Sequence, residues 1–498
     1  MVVGKLILPR GAAIAVDPMP HRIFEIDEVL RVIVQYTRDT CEATTISLAC
    51  CCKSFEEPTL SILWVSKHSK ELVTFFPSIL TCAPTEKEWK RFRRYASWIR
   101  VLSVNSMPQC ATQELTLLLD LIASSSTNGP TQQATFPNLR DLTWCGEPSS
   151  LAYLPSFVSP ILTDLHVYVA AQLDAEHLPG EYAPLELVIN STISPSNLQS
   201  LCLYIPPEPN PSPELRQGVA DLILRCGSTL TTFGFEFELP ESVVLHLMSL
   251  PNLETWRATQ PAPTTPISSL LRPTPSFTQM ISLTLRTGTP RSWLAFINTL
   301  AAEKPHPPPA THAPAFGNLI CFDMNPPSGQ LCLGSCAFPL TDSDISLLAD
   351  ALPRLQWAHL GTPCSFNTCQ TTFRSLHTLS TRCPRLEHLC IHINMTTLVQ
   401  DIRSVFEDGQ QMETRGTRPG PSIGGRGCLL NLTFVYFLPL EANVGVGDLE
   451  VVVKGLVDIS VAINVSPGPN TKLWAKVSEG VNVLHAQNSD TGCPASLN

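Results

Sequence analysis

One phrase returns along most of this 498-residue chain: Leu-x-x-Leu-x-Leu, often introduced by Pro-x or Asn. Its clearest copies are FPNLRDLTW (136–144), NLQSLCLYI (197–205), LPNLETW (250–256), MISLTL (280–285), GNLICFDM (317–324), LPRLQWAHL (352–360) and CPRLEHLCIHI (383–393). Weaker copies are IRVLSV (99–104), LTDLHV (162–167), LTTFGF (230–235) and LTFVYF (432–437). Counted by leading residue from Leu139, the spacings are 23, 36, 32, 23, 27, 39, 36, 31 and 46 residues. Alternating apolar side chains belong to a short strand with one buried face, entered each time through a turn. One such unit cannot cover its own apolar face, so the units have to stack. The fold class that follows is α/β, with parallel strands stacked into a solenoid. In a chain that is 44% apolar, bare matches also arise by chance. The weight therefore rests on the Pro-Asn-Leu and Pro-Arg-Leu openings at Pro137, Pro251, Pro353 and Pro384.

Between the strands, Leu and Ile recur at three- and four-residue steps, which predicts helices over 214–226, 344–352 and 366–383. Segments 205–214, 260–275, 304–316 and 414–427 are rich in Pro, Gly, Ser and Thr and read as inserted loops. The stretch VVVKGLVDISVAINV (451–465) reads as β but lacks the phrase, so 441–498 carries no assignment.

The repeats resemble an irregular leucine-rich-repeat array, and CPRLEHLCI (383–391) is close to its cysteine-containing subclass. The asparagine ladder of regular repeats is missing from the phrase, and the spacings exceed the usual 20–29 residues, so a distorted stack is expected. The resemblance implies a concave wall of strands that holds a protein target. Residues beside the buried leucines would line it: Arg140, Asp141, Glu254, Arg286, Gln356, His359, Glu387, His388 and His392. With three imidazoles among them, target capture is expected to be pH-sensitive near about 6.5.

The segment at 21–64, HRIFEIDEVLRVIVQYTRDTCEATTISLACCCKSFEEPTLSILW, follows a different rule. Ile26, Val29, Leu30, Ile33 and Val34 recur at helical spacing, Ile46 to Phe55 form a second apolar set, and Leu60, Leu63 and Trp64 close it. About 45 residues is near the lower limit for a self-sufficient core, so a partner or the rest of the chain must cover what remains. This segment resembles an F-box: IDEVL (26–30), LACCCKSF (48–55) and Leu63-Trp64 stand where that family's three blocks stand. Asp27 replaces the usual Pro, and as an N-cap residue it can still start a helix. Cys51 stands where Val is common and is expected to pack as a small hydrophobe.

The resemblance implies a substrate-recognition adaptor of a Skp–cullin–F-box-type ubiquitin ligase, with no catalysis of its own. The Skp-type linker, and through it the cullin, would dock on Ile26, Asp27, Val29, Leu30, Ile33, Leu48, Cys52, Leu63 and Trp64. The alternative is a non-catalytic repeat scaffold whose F-box-like cap no longer binds the ligase. The chain divides into a leader (1–20), the F-box-like module (21–66), linking helices (67–98), the repeat array (99–440) and the tail (441–498).

Charge and motifs exclude other classes. A net charge of −10 argues against a general nucleic-acid binder. No run of 18 apolar residues is present to span a membrane, and Pro9 and Arg10 break the apolar N-terminus, so a cytoplasmic or nuclear location is expected. A local basic cluster, KEWKRFRRY (87–95), reads as a solvated helix face opposite Trp89, Phe92, Ala96 and Ile99, or as a dock for an acidic partner. The 18 cysteines are scattered, and most are expected to be reduced and buried, Cys50, Cys51 and Cys52 included. Neither these three, nor the looser set Cys321, Cys332 and Cys336, nor His388 with His392, has the spacing of a tetrahedral metal site. No phosphate-binding loop, nucleophile elbow or dinucleotide fingerprint occurs, so no metal or cofactor is expected.

Overall fold

The structure is a computed structural model that describes residues 27–51, 53–77, 79–107, 113–127, 135–170, 182–205, 212–259, 277–286, 290–302, 316–325, 340–360, 370–391, 400–401, 404, 430–434 and 461–465. Among these residues, strands β1 (Ser66–His68), β2 (Val101–Ser106), β3 (Asp141–Gly146), β4 (Asp164–Val169), β5 (Ser200–Tyr204), β6 (Thr232–Phe235) and β7 (Thr255–Ala258) form half of one sheet. Strands β8 (Ser282–Arg286), β9 (Cys321–Asn325), β10 (Trp357–Leu360), β11 (His388–Ile391), β12 (Leu430–Phe434) and β13 (Val461–Val465) complete it. Strand order across the sheet is the order along the chain, and every neighbouring pair is parallel. The arrangement is solenoid-like α/β. It is wider than the repeat phrase indicates, because β1 precedes position 99 and β13 lies beyond 440.

Each weak copy of the phrase is a strand, but the last stands in another frame: Leu432 pairs with Leu389, not with Leu386. Leu429-x-x-Leu432-x-Phe434 satisfies the phrase as well as the frame that starts at Leu432 does. The ladder aligns Leu142, Leu165, Leu201, Phe233, Trp256 and Leu283 in one inward row, all buried. Trp144, Val167, Leu203, Phe235, Ala258 and Leu285 form a second buried row. Leu139, Leu198, Leu253, Leu355, Leu386 and Leu389 are buried too. A fully buried leucine stabilises by about 1.5–3 kcal/mol relative to an exposed one, so these rows dominate the energetics.

Turns are tied from repeat to repeat. The carbonyl just before a strand accepts two successive N–H groups of the next repeat, as Arg140 does from Thr163 and Asp164, and Gln356 from Glu387 and His388. Asparagines add to these ties in some of the repeats, on the turn before the strand. Asn138 donates to the Ser97 carbonyl at 2.6 Å, Asn252 to Ser228 at 2.6 Å and Asn318 to Thr278 at 2.8 Å. Each asparagine directly precedes a leading leucine, where a side-chain amide can reach the previous turn.

Helices cover the inward rows. Helix α8 (Pro213–Arg225), α11 (Asp342–Ala351) and α12 (Phe373–Arg382) lie within or close to the three segments expected to be helical. Helices α6 (Gln113–Thr127), α9 (Glu241–Ser249) and α10 (Pro290–Ala302) were not expected. Helix α5 (Glu86–Ala96) carries the basic cluster and starts in a capping box, with Thr85 accepting from Glu88 N–H and the Glu88 carboxylate accepting from Thr85 N–H. Phe92 and Ala96 are buried beneath it. Its arginines lie over the protein's own rings, Arg91 over Phe75 and Tyr95, Arg93 over Trp89 and Arg94 over Trp98.

The N-terminal module is three helices, α1 (Asp27–Thr40), α2 (Glu42–Cys51) and α3 (Lys53–Leu63), around a small core of their own: Leu30, Val34, Phe55 and Ile62. Trp64 belongs elsewhere. Its ring lies tilted 4.7 Å from that of Phe75 and 5.1 Å from that of Tyr95, against the main core. The cysteine expectation is corrected here: Cys50 and Cys51 are exposed, because α2 turns both thiols outward, and Cys41 and Cys82, outside that helix, are exposed too. Among the ten described cysteines only Cys202, Cys226 and Cys383 are buried.

Candidate functional site

The side of the sheet away from the inward rows is the candidate interaction face. Its middle row runs through Thr143, His166, Cys202, Gly234, Arg257 and Thr284, and on through Asp323, His359 and Cys390. Two clusters stand out on it.

The first spans β4 to β8. Tyr168 and Tyr204 stack at 4.5 Å, and the Arg257 guanidinium lies 4.8 Å over the Tyr204 ring. Gly234 makes this possible, since any Cβ there would come within 3.3 Å of Cys202 Sγ and 3.4 Å of the Tyr204 hydroxyl. Beside it Arg286 donates to Glu236 Oε1 at 2.6 Å, across two strands. Burial pushes the Glu236 carboxyl up, against the pull of Arg286 and Arg257. Burial likewise raises the Tyr204 phenol, which stays a neutral donor. Tyrosine and arginine are the residue types that most often dominate protein interfaces.

The second cluster spans β9 to β11. His359 Nδ1 stands 3.0 Å from Asp323 Oδ1, and the same imidazole is hydrogen-bonded to Cys390. The bond to Asp323 and then that to Cys390 outweigh burial and push His359 up to about 10. This corrects the expected imidazole titration near about 6.5 for His359. A shallow groove of about 240 Å³ lies at the entrance of the neighbouring strands, bordered by Gln356, Arg354 and Arg385.

The residues expected to hold a target do not form one site. Arg140 sits beside β3 and Glu387 beside β11, eight strands and therefore about 38 Å apart. Arg140, Glu254, Glu387 and His388 are exposed, whereas Arg286 is half-buried and bound to Glu236. Asp141 is half-buried, and burial raises its carboxyl. Gln356, Glu387 and His388 come together on adjacent strands with His359. His392 lies outside the described residues. Tyr168, Tyr204, Arg257 and Asp323 were missed, although each follows a buried strand position and so is marked as outward by alternation alone.

In the N-terminal module the expected docking residues divide. Leu30 is buried at 4% exposure in the module's own core, and Ile33 and Leu48 pack partly against it. They are therefore internal packing residues, with little surface for a partner. Trp64 is committed to the main core, Val29 and Leu63 are half-buried, Asp27 starts α1, and Ile26 and Cys52 lie outside the described residues. The apolar side chains turned to solvent are others: Val32 at 69%, Tyr36 at 73% and Ile46 at 51% exposure. Val32 and Tyr36 lie four apart on α1 and share its outer face.

Among the described residues no group of three or more His, Cys, Asp and Glu side chains is placed to hold a metal ion, and no helix is long and apolar enough to cross a membrane. Comparison with models of known protein families and with curated protein sequences finds no match to this chain.

Proposed function

We propose that the chain is a non-catalytic adaptor of a Skp–cullin–F-box-type ubiquitin ligase, with an F-box-like module docked on the Skp-type linker and a leucine-rich-repeat-like sheet face holding a protein target. The observation that carries this reading is the three-helix module: it has a separate core and leaves Val32, Tyr36 and Ile46 in solvent. Val32 and Tyr36 share the outer face of α1, and a partner helix laid there would bury them. The Tyr168–Tyr204–Arg257 cluster supplies a rigid aromatic and cationic anchor for the target. Such a protein works by proximity: tethering raises the target's effective concentration at the ubiquitin-carrying enzyme, and the chain itself does no bond chemistry.

The test is copurification from cells. Tyr36→Glu with Ile46→Glu should abolish capture of the Skp-type linker, since losing two anchors of about 2 kcal/mol each weakens binding roughly a thousandfold. Tyr204→Ala with Arg257→Ala should keep the linker and lose the target. A wild-type chain that captures no linker would replace this reading with that of a repeat scaffold.

A further inference from the structure

Cys390, His359 and Asp323 come from three consecutive strands, β11, β10 and β9, and occupy the same position of the ladder. Their side chains therefore leave the sheet on one side, about 4.8 Å from strand to strand. Asp323 holds Nδ1 of His359 at 3.0 Å, the Trp357 ring meets the imidazole edge-on at 6.0 Å, and Cys390 hydrogen-bonds the same ring from the next strand. The ring is thus oriented on both sides, and Cys390 remains half-exposed. Two other half-buried thiols face the same side without an imidazole, Cys145 and Cys321, and burial alone pushes both of those up.

We propose that Asp323, His359 and Cys390 form a carboxylate–imidazole–thiol array that makes Cys390 a nucleophile, and hence a site of covalent modification by small electrophiles open to direct displacement, hydroperoxides being the class in question. Acyl transfer is a poorer fit. It needs free N–H donors for a developing oxyanion, and the backbone of β9 to β11 is engaged in the parallel ladder. Displacement needs only the sulfur nucleophile and a charge beside it, which the Asp323-held imidazolium supplies. With a hydroperoxide, the Cys390 sulfur attacks the distal oxygen, an S–O bond forms and the O–O bond breaks. Sulfur is oxidised by two electrons to a sulfenic acid, and the leaving alkoxide or hydroxide takes up the proton that the thiol released. This inference stands apart from the adaptor reading, because it requires neither ligase nor target.

The experiment uses the full chain. Iodoacetamide labelling at pH 7 is followed at each cysteine by peptide mass spectrometry, and hydrogen peroxide treatment is followed by trapping of the sulfenic acid. Cys390 should alkylate about tenfold or more faster than Cys145 and Cys321 and should be the one of the three that is trapped. His359→Gln and Asp323→Asn should bring its rate down to theirs. Equal rates at the three cysteines of the wild type would overturn the proposal even if a variant fails to fold. So would a folded His359→Gln protein whose Cys390 reacts as fast as before.

Discussion

An unperturbed imidazole titrates near about 6.5, and His359 does not, because Asp323 lies 3.0 Å from its Nδ1 and Cys390 is bonded to the same ring. A histidine raised in the folded state stabilises fully below its unfolded value, and that contribution fades as pH rises through the folded value. For His359 the window runs from 6.5 to about 10. Asp323 and Cys390 are its titratable partners on the neighbouring strands, and His388 lies in the next outward row of β11. Urea unfolding of wild type and His359→Gln should therefore differ by about 1–3 kcal/mol at pH 6 and converge as pH approaches 10. A gap that widens with pH would refute this assignment. Alternation marks His359, Asp323 and Cys390 as outward, so the members were legible. Their contact was not, because it depends on register across connections of variable length, which the repeat phrase does not encode.

At the scale of elements, one acidic side chain ties two helices together. Asp342, in the first turn of α11, accepts from Thr372 N–H and Thr372 Oγ1 at 2.7 Å each and from Ser375 Oγ, at the start of α12. Ser375 is fully buried, so losing the carboxylate strands a hydroxyl and an N-terminal helix N–H together. Asp342→Ala should cost about 2–4 kcal/mol in chemical denaturation, and Asp342→Asn clearly less. The segment expected to be helical at 366–383 was placed well because Phe373, Leu376 and Leu379 recur at three-residue steps. Helix α9 escaped notice because ESVVLHLMS is short and places Val243 and Val244 side by side, a composition that suits a strand equally. In the module, helical periodicity identified α1 and its inward face, Leu30 and Val34 included and Val32 and Tyr36 left off, but not that this face closes a core with α3. A weak stripe on three short helices leaves that pairing to their packing.

For the whole molecule, the phrase determined more than any other feature. Turn, buried leucine and alternating strand are local, so they survive the irregular spacing between copies, and the parallel stack follows from them. What stayed hidden were the two ends of the sheet. β1, SKH, is three residues long with a lysine at an inward-row position, and β13 lies in a segment without the phrase. Pairing with a formed neighbour makes β1 a strand, which no local pattern reports; the β character of 451–465 is legible, and only the place of β13 in the sheet is not.

The match between strand order and chain order has a mechanical meaning. A chain folded this way is a wound cord: among the described residues each turn touches chiefly the turns before and after it, and the longest ties, such as Arg286 to Glu236, skip a single turn. Pulled by its two ends in an optical trap, it should unreel turn by turn, giving a sawtooth of steps instead of one rupture. Each turn of roughly 30 residues would release about 100 Å of contour. A cord that yields in small instalments can slacken at one end and keep its fold at the other.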